Sequence, residues 1–244
     1  MLRIDRLTKT YRDGTRALRQ LTLDVPPGVL GLLGPNGAGK STLMKILSTL
    51  LEPDSGTANI DGVDLIADPD RARRLLGYLP QEFGFHPSLT AEETLDYFAR
   101  LKGVSDRRAR AKSIRGLLEA VNLASAAHRR VETFSGGMRQ RLGIAQALIG
   151  RPALIIVDEP TAGLDPAERN RFHAMLVDAA RSGAVVIFST HIVSDVAALC
   201  ERVAIVSRGN LLASCTPSEA LAVAPTLEAF YFDVLQRDAS HAAA

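Results

Sequence analysis

Short apolar runs and longer periodic polar segments alternate along this chain. Leu21–Val25, Val29–Leu33, Ala153–Val157, Ala184–Phe188 and Arg202–Ser207 are rich in Leu, Ile and Val and are punctuated by Gly, Pro or Asp. Near-continuous apolar runs of this kind fit parallel strands covered on both faces, and their alternation with helical patterns predicts an α/β fold. Helix starts are marked by capping chemistry. Asp165-Pro166 offers an N-cap followed by Pro at the first helical position, Thr216-Pro217-Ser218-Glu219 adds a capping box to that device, and Thr90-Ala91-Glu92-Glu93 is a further capping box. Met44 and Met175 fall at core-like helical positions. From Phe83 onward the strand-like runs vanish, and amphipathic segments rich in Arg and Glu take over. The pattern predicts an all-helical insertion over residues 83–152, with 1–82 and 153–244 forming one α/β body.

The length of 244 residues suits one large domain with such an insertion. Apolar residues make up 46% and charged residues 23%, which excludes disorder and fibrous repeats. Lys and Arg number 29 against 27 Asp and Glu, too even a balance for a protein that binds nucleic acid by neutralising phosphates. Cys200 and Cys215 stand apart, without metal or disulfide spacing, as expected in a reducing compartment. The apolar runs are far shorter than the roughly 18–20 residues that span a bilayer. A basic run, Arg100, Lys102, Arg107, Arg108, Arg110, Lys112 and Arg115, reads as a solvated helix face, with contact to anionic headgroups as the alternative.

Gly34-Pro35-Asn36-Gly37-Ala38-Gly39-Lys40-Ser41 matches G-x-x-x-x-G-K-[ST]. It follows the run Val29–Leu33 and opens the periodic segment Lys40–Leu50, the strand–loop–helix context that this motif requires. Its glycines let backbone N–H groups, those of Ser41 and Thr42 included, converge on a phosphate at a helix N-terminus. Lys40 then bridges β- and γ-phosphates, and the Ser41 hydroxyl ligates Mg²⁺. A second signal is Ala153–Val157 ending in Asp158-Glu159, two carboxylates at a strand's carboxyl end. Asp158 there suits Mg²⁺, and Glu159 suits polarising an attacking water; on its own the pair reads equally well as a helix cap. The third is Phe134-Ser135-Gly136-Gly137-Met138, another anion-receptive helix start, which in isolation is an ordinary capped helix.

Together these motifs resemble the nucleotide-binding subunit of ABC transporters, whose signature is usually written L-S-G-G-Q; Phe134 and Met138 replace its Leu and Gln here. The resemblance runs along almost the whole chain. Leu79-Pro80-Gln81 looks like the Q-loop, Ala162-Gly163-Leu164-Asp165 like the D-loop, Ser189-Thr190-His191 like the switch histidine, and Tyr11 stands where the family stacks an aromatic on adenine. It implies a P-loop core with an N-terminal antiparallel β-subdomain and a helical subdomain carrying Ser135. It also implies ATP and Mg²⁺ as cofactors, with the metal on Ser41, Gln81 and Asp158. Two subunits face head to tail in the family, each ATP lying between one subunit's Lys40 loop and the other's Ser135 motif. Glu159 is then the general base and His191 a γ-phosphate contact. A separate transmembrane permease docks beside Gln81, and the chain sits on the cytoplasmic face of the membrane. Phe83, Phe85 and His86, just after Gln81, read either as part of a docking surface for a partner helix or as packing of the hinge. The wording S-G-G-M-R is most similar to ATPases of bacterial ABC-2-type exporters; a soluble ABC ATPase driving an assembly machine is the alternative.

Overall fold

The computed structural model describes residues 1–159, 165–190 and 193–243. Strands β1 (Leu2–Thr10), β2 (Arg16–Val25) and β3 (Gly28–Leu33) lead into α1 (Lys40–Leu47). Then come β4 (Ser55–Ile60), β5 (Val63–Asp64), α2 (Pro69–Leu75) and β6 (Leu76–Leu79). Only helical elements follow for a stretch: α3 (Ala91–Leu101), α4 (Arg107–Ala120), two single 3₁₀ turns and α5 (Gly136–Leu148). The chain closes with β7 (Leu154–Asp158), α6 (Pro166–Arg181), β8 (Val185–Ser189), α7 (Val193–Leu199), β9 (Arg202–Ser207), β10 (Asn210–Cys215), α8 (Pro217–Leu221) and α9 (Leu227–Ala243).

Two sheets result. One is antiparallel with order β2-β1-β4-β5. The other has order β10-β9-β3-β8-β7-β6, parallel throughout except for β10 at its edge. Every residue of β3 and β8 is buried, as strands covered on both faces require. The run Leu21–Val25 departs from the sequence expectation, because it belongs to β2 in the antiparallel sheet. Its own alternation is the reason: Leu21, Leu23 and Val25 are buried while Thr22 and Asp24 face solvent. Helix α1 is also shorter than the periodic segment Lys40–Leu50, since Thr49 turns to φ 61° just past its end.

The two faces of the parallel sheet feed two cores. Leu30, Leu32, Ile156 and Ile187 pack with α1 and with Leu2, Ile4 and Leu18 of the antiparallel sheet. Val29, Leu33, Ile155 and Val157 share one continuous core with Leu95 of α3, Ile114 and Leu118 of α4 and Leu142 of α5. The helical segment is therefore seated on the sheet through its own hydrophobic interior. The seat is close. A Cβ at Gly77 of β6 would fall 1.9 Å from the Ala147 carbonyl oxygen, and one at Gly143 of α5 would fall 2.6 Å from Phe83 Cζ. Phe83 thus packs inward against α5.

Capping follows the sequence. Thr90 and Thr216 complete capping boxes on α3 and α8, and Asp165 caps α6 with Pro166 behind it. The basic run divides in two. Arg110 is buried and donates to Asp96, Val104 O and Ser105 O; Arg100 pairs with Asp96 at 2.7 Å; Lys102 donates to Ile149 O at 3.0 Å. Arg107, Arg108, Lys112 and Arg115 remain on the exposed side of α4. Among the described residues, no helix is long and apolar enough to cross a membrane.

Candidate functional site

Neighbouring parallel strands end at one edge of the sheet, and their ends carry the candidate chemistry. β3 runs into Gly34, β6 into Gln81, β7 into Asp158 and Glu159, and β8 ends at Ser189. Among the described residues a cleft of about 770 Å³ opens there, lined by residues 36–42 of the glycine-rich loop and by Tyr11, Thr15, Ala17, Gln81, Asp158, Glu159 and Ser189. Crevices beyond the carboxyl ends of parallel strands are where open α/β sheets take ligands.

The loop leaves a helix end free. Gly39 holds φ 105°, a left-handed conformation that costs a residue with a Cβ, and α1 begins immediately after it with no side-chain cap and no acidic residue in its first turn. By contrast α2, α3, α4, α5, α6 and α8 are capped by Asp68, Thr90, Asp106, Ser135, Asp165 and Thr216. The uncapped N-terminus of α1 presents its partial positive charge to the cleft, which suits an anion.

Lys40 strengthens that field. Its Nζ donates to Gly34 O at 2.5 Å and Pro35 O at 3.1 Å, two carbonyls of its own loop. Burial pulls its pKa below the ordinary lysine value, and the carboxylates of Glu159 and Asp158 partly oppose this. Across the cleft, burial and then the neighbouring Glu159 push the Asp158 carboxyl above the usual range, with Lys40 and Lys45 acting the other way. Glu159 takes φ 47°, an uncommon conformation for a non-glycine residue, and its N–H donates to Ser189 O at 3.0 Å. Gln81 Nε2 donates to Glu159 Oε2 at 3.4 Å, so β6 and β7 meet at that side chain.

Tyr11 comes from the far end of β1 and reaches the cleft, where its hydroxyl shares a 3.1 Å hydrogen bond with Thr42 Oγ1. Ser41 is exposed beside it. The hydroxyl of Ser41, the amide of Gln81 and the carboxylate of Asp158 line one cleft, a hard-oxygen donor set that fits Mg²⁺. Thr15, Ala17 and Ser189 line it too. Thr15 and Ala17 flank the β1–β2 turn and carry no local signal for a site, whereas Ser189 has one in its place at a strand's carboxyl end.

Ser135, Gly136, Gly137 and Asp165 are not part of this cleft. Ser135 caps α5 by accepting from Met138 N at 3.3 Å, and Asp165 accepts from Glu168 N at 2.8 Å. Ser135 and Gly136 are exposed. His191 and Ala162-Gly163-Leu164 lie outside the described residues.

Comparison with known proteins points the same way. The family model described as ABC transporter matches residues 18–162. The chain is 41% identical over 214 residues to the daunorubicin/doxorubicin resistance ATP-binding protein DrrA of Streptomyces peucetius, covering 87% of this chain and 64% of that protein. It thus spans somewhat less than two thirds of that relative's length. A solved ATP-binding subunit of an ABC transporter superposes with a TM-score of 0.89 at 29% identity, over 96% of this chain and 99% of that one. An ATP-binding cassette solved as a dimer in a post-hydrolysis state with ADP and Pi gives a TM-score of 0.80 at 28% identity, over 88% of this chain and 98% of that one.

Proposed function

Since the chain belongs to the ABC transporter family, we propose that it binds and hydrolyses ATP and thereby powers export through a separate membrane permease. The uncapped start of α1, which carries Lys40 and shares one cleft with two carboxylates, is the observation that carries this reading.

The chemistry is positioning plus electrostatics. Backbone N–H groups at the start of α1 take the β-phosphate. Lys40 leaves the Gly34 and Pro35 carbonyls for the β- and γ-oxygens, and its charge is stronger there because the site is partly dry. The ring of Tyr11 stacks on adenine at the mouth of the cleft. Glu159 removes a proton from the attacking water as the water's oxygen bonds to the γ-phosphorus and the β–γ bridging bond breaks, giving ADP and phosphate. Gln81, already bonded to that carboxylate, keeps it in line. His191 contacts the γ-phosphate. Ser41, Gln81 and Asp158 would hold Mg²⁺, which when bound neutralises charge on the β- and γ-oxygens.

The Ser135 motif and Asp165 serve the nucleotide of a second copy or a paralogous subunit. Their position outside their own cleft and the dimeric cassette to which this chain is similar support that arrangement. Resistance to daunorubicin and doxorubicin, named for the Streptomyces relative, supports a small-molecule exporter on the cytoplasmic face of a membrane.

Glu159→Gln tests the core of the reading. The amide keeps size and hydrogen bonding but cannot take a proton, so steady-state hydrolysis should fall about 10²–10⁴-fold while ATP binding survives. Near-normal turnover in that variant would remove Glu159 as the base. The transport half of the reading is checked by isolating the protein from membranes in detergent; recovery only in a soluble assembly free of any permease would favour the assembly-machine alternative.

A further inference from the structure

Arg141 lies on α5 just beyond the Ser135 motif, and its guanidinium is shared by three elements. Nε donates to Gly137 O at 3.4 Å and stands 3.1 Å from Glu168 Oε1. Nη1 donates to Asn122 O at 3.1 Å and Val121 O at 3.4 Å, carbonyls at the C-terminal end of α4. The two side chains of the ion pair are only 16% and 21% exposed. Glu168 is in the first turn of α6, and its N–H is the donor that Asp165 accepts at 2.8 Å. One ion pair therefore links the Gly137 carbonyl, through Arg141, to Glu168, whose N–H Asp165 accepts.

The residue types fit the task. A helix C-terminus carries partial negative charge, so the end of α4 fixes one edge of a cation. Only the planar fork of an arginine can hold that edge and still reach a carboxylate and a third carbonyl. Glu168 in the first turn of α6 also complements that helix's dipole, so it has a reason to stay in place without Arg141. Apart from this pair, α5 and α6 belong to different parts of the fold, the helical segment and the α/β body. Neither Arg141 nor Glu168 lines the cleft.

We infer that Arg141 and Glu168 are positioning residues that lock the Ser135 motif and Asp165 into one register, so that both reach the nucleotide of a second subunit together. This rests on the two-subunit reading above. Breaking the pair should leave ATP binding in a chain's own cleft unchanged and slow the turnover of its neighbour.

The experiment uses the full chain in mixed dimers. A chain carrying Lys40→Ala has a dead cleft but lends its Ser135 side to its partner. Placing Glu168→Gln on that same chain, opposite an unaltered one, should cut the remaining activity by about ten- to a hundredfold, the usual cost of a small misplacement. Placing Glu168→Gln on the chain with intact Lys40 instead should cost nothing, because its Ser135 side then faces the dead cleft. Arg141→Lys should repeat this pattern, and combining it with Glu168→Gln on one chain should add no further loss. Binding of a fluorescent ATP analogue and the unfolding midpoint of each variant serve as the check for simple misfolding. Ser135→Ala in the same two placements separates the outcomes. If Ser135→Ala follows the trans pattern and Glu168→Gln does not, the lock is wrong; if Ser135→Ala itself acts in cis or not at all, the two-subunit reading fails first and the lock with it.

Discussion

Two helices of this protein start from glycine-rich turns, and they end up chemically opposite. α1 follows Gly39 with no side-chain cap, inside a cleft that already holds a lysine and two carboxylates. α5 begins with Gly136-Gly137, is capped by the Ser135 hydroxyl, and opens onto the surface. The first leaves its N–H groups bare to the cleft, an arrangement that suits an anion. In the second, the Ser135 hydroxyl accepts from the Met138 N–H, and the helix start stands apart from the Lys40 cleft. Two glycine-bearing helix starts thus lie in different settings, one inside a cleft and one at the surface, depending on what the rest of the fold brings up against them.

Substituting each helix start draws this difference most sharply. Lys40→Ala should cost about 10²–10³-fold in turnover, the scale for losing one preorganised charge on a developing anion, and should weaken ATP binding by the same chain. Ser135→Ala should leave that chain's ATP affinity intact and cost about 1 kcal/mol of stability as a lost cap. Equal losses of ATP affinity in the two variants, measured by titration, would erase the distinction between the two helix starts.

The position of the Ser135 helix depends on how the helical segment is seated, which gives a second handle. A methyl at Gly77 would meet the Ala147 carbonyl at 1.9 Å, backbone against backbone, so neither side can swing away. Gly77→Ala should therefore cost about 3 kcal/mol, at the upper end for overpacking, and should shift α5 outward. Denaturant unfolding gives the cost. A neutral result would mean that α5 rides loosely on β6 and that the helical segment is not seated as described.

A further effect is a pH dependence that arises in the helical segment. Burial lowers the Lys102 ammonium from 10.5 to about 8, where it donates to the end of α5 at Ile149 O. Between those values the folded chain holds fewer protons than the unfolded one, so this group makes stability rise with pH across that window; below about 8 both forms are charged and its contribution is flat. Relative to Lys102→Met, the wild-type chain should gain at most about 3 kcal/mol on going from the lower to the upper value, read from unfolding midpoints. The same slope in both proteins would assign the pH dependence to other groups.

Much of the cleft was legible from sequence because its strongest parts are local. The spacing of Gly34, Gly39, Lys40 and Ser41 dictates a turn and a helix start within a few residues, and Asp158-Glu159 need only end a strand to reach the ligand edge. The capping boxes at Thr90 and Thr216 and the N-cap at Asp165 were equally local, and each caps a helix as read. Leu21–Val25 was misplaced because both sheets use apolar runs; only the period-two exposure of Thr22 and Asp24 separates them.

The sequence by itself determined that there is a phosphate loop, a paired carboxylate and a capped Ser-Gly-Gly helix, since each follows from dihedral preference and spacing over a handful of residues. Tertiary structure alone decided which of them meet. Gln81, Asp158 and Ser189 lie far apart along the chain and share one cleft because the parallel register of β3, β8, β7 and β6 aligns their carboxyl ends, while Tyr11 is brought to it from the end of β1 of the antiparallel sheet. The same packing put Arg141 between Gly137, Asn122 and Glu168, and kept Ser135 out of the cleft. Contacts of that range depend on how whole sheets and helices bury their apolar faces together, and no local pattern encodes that.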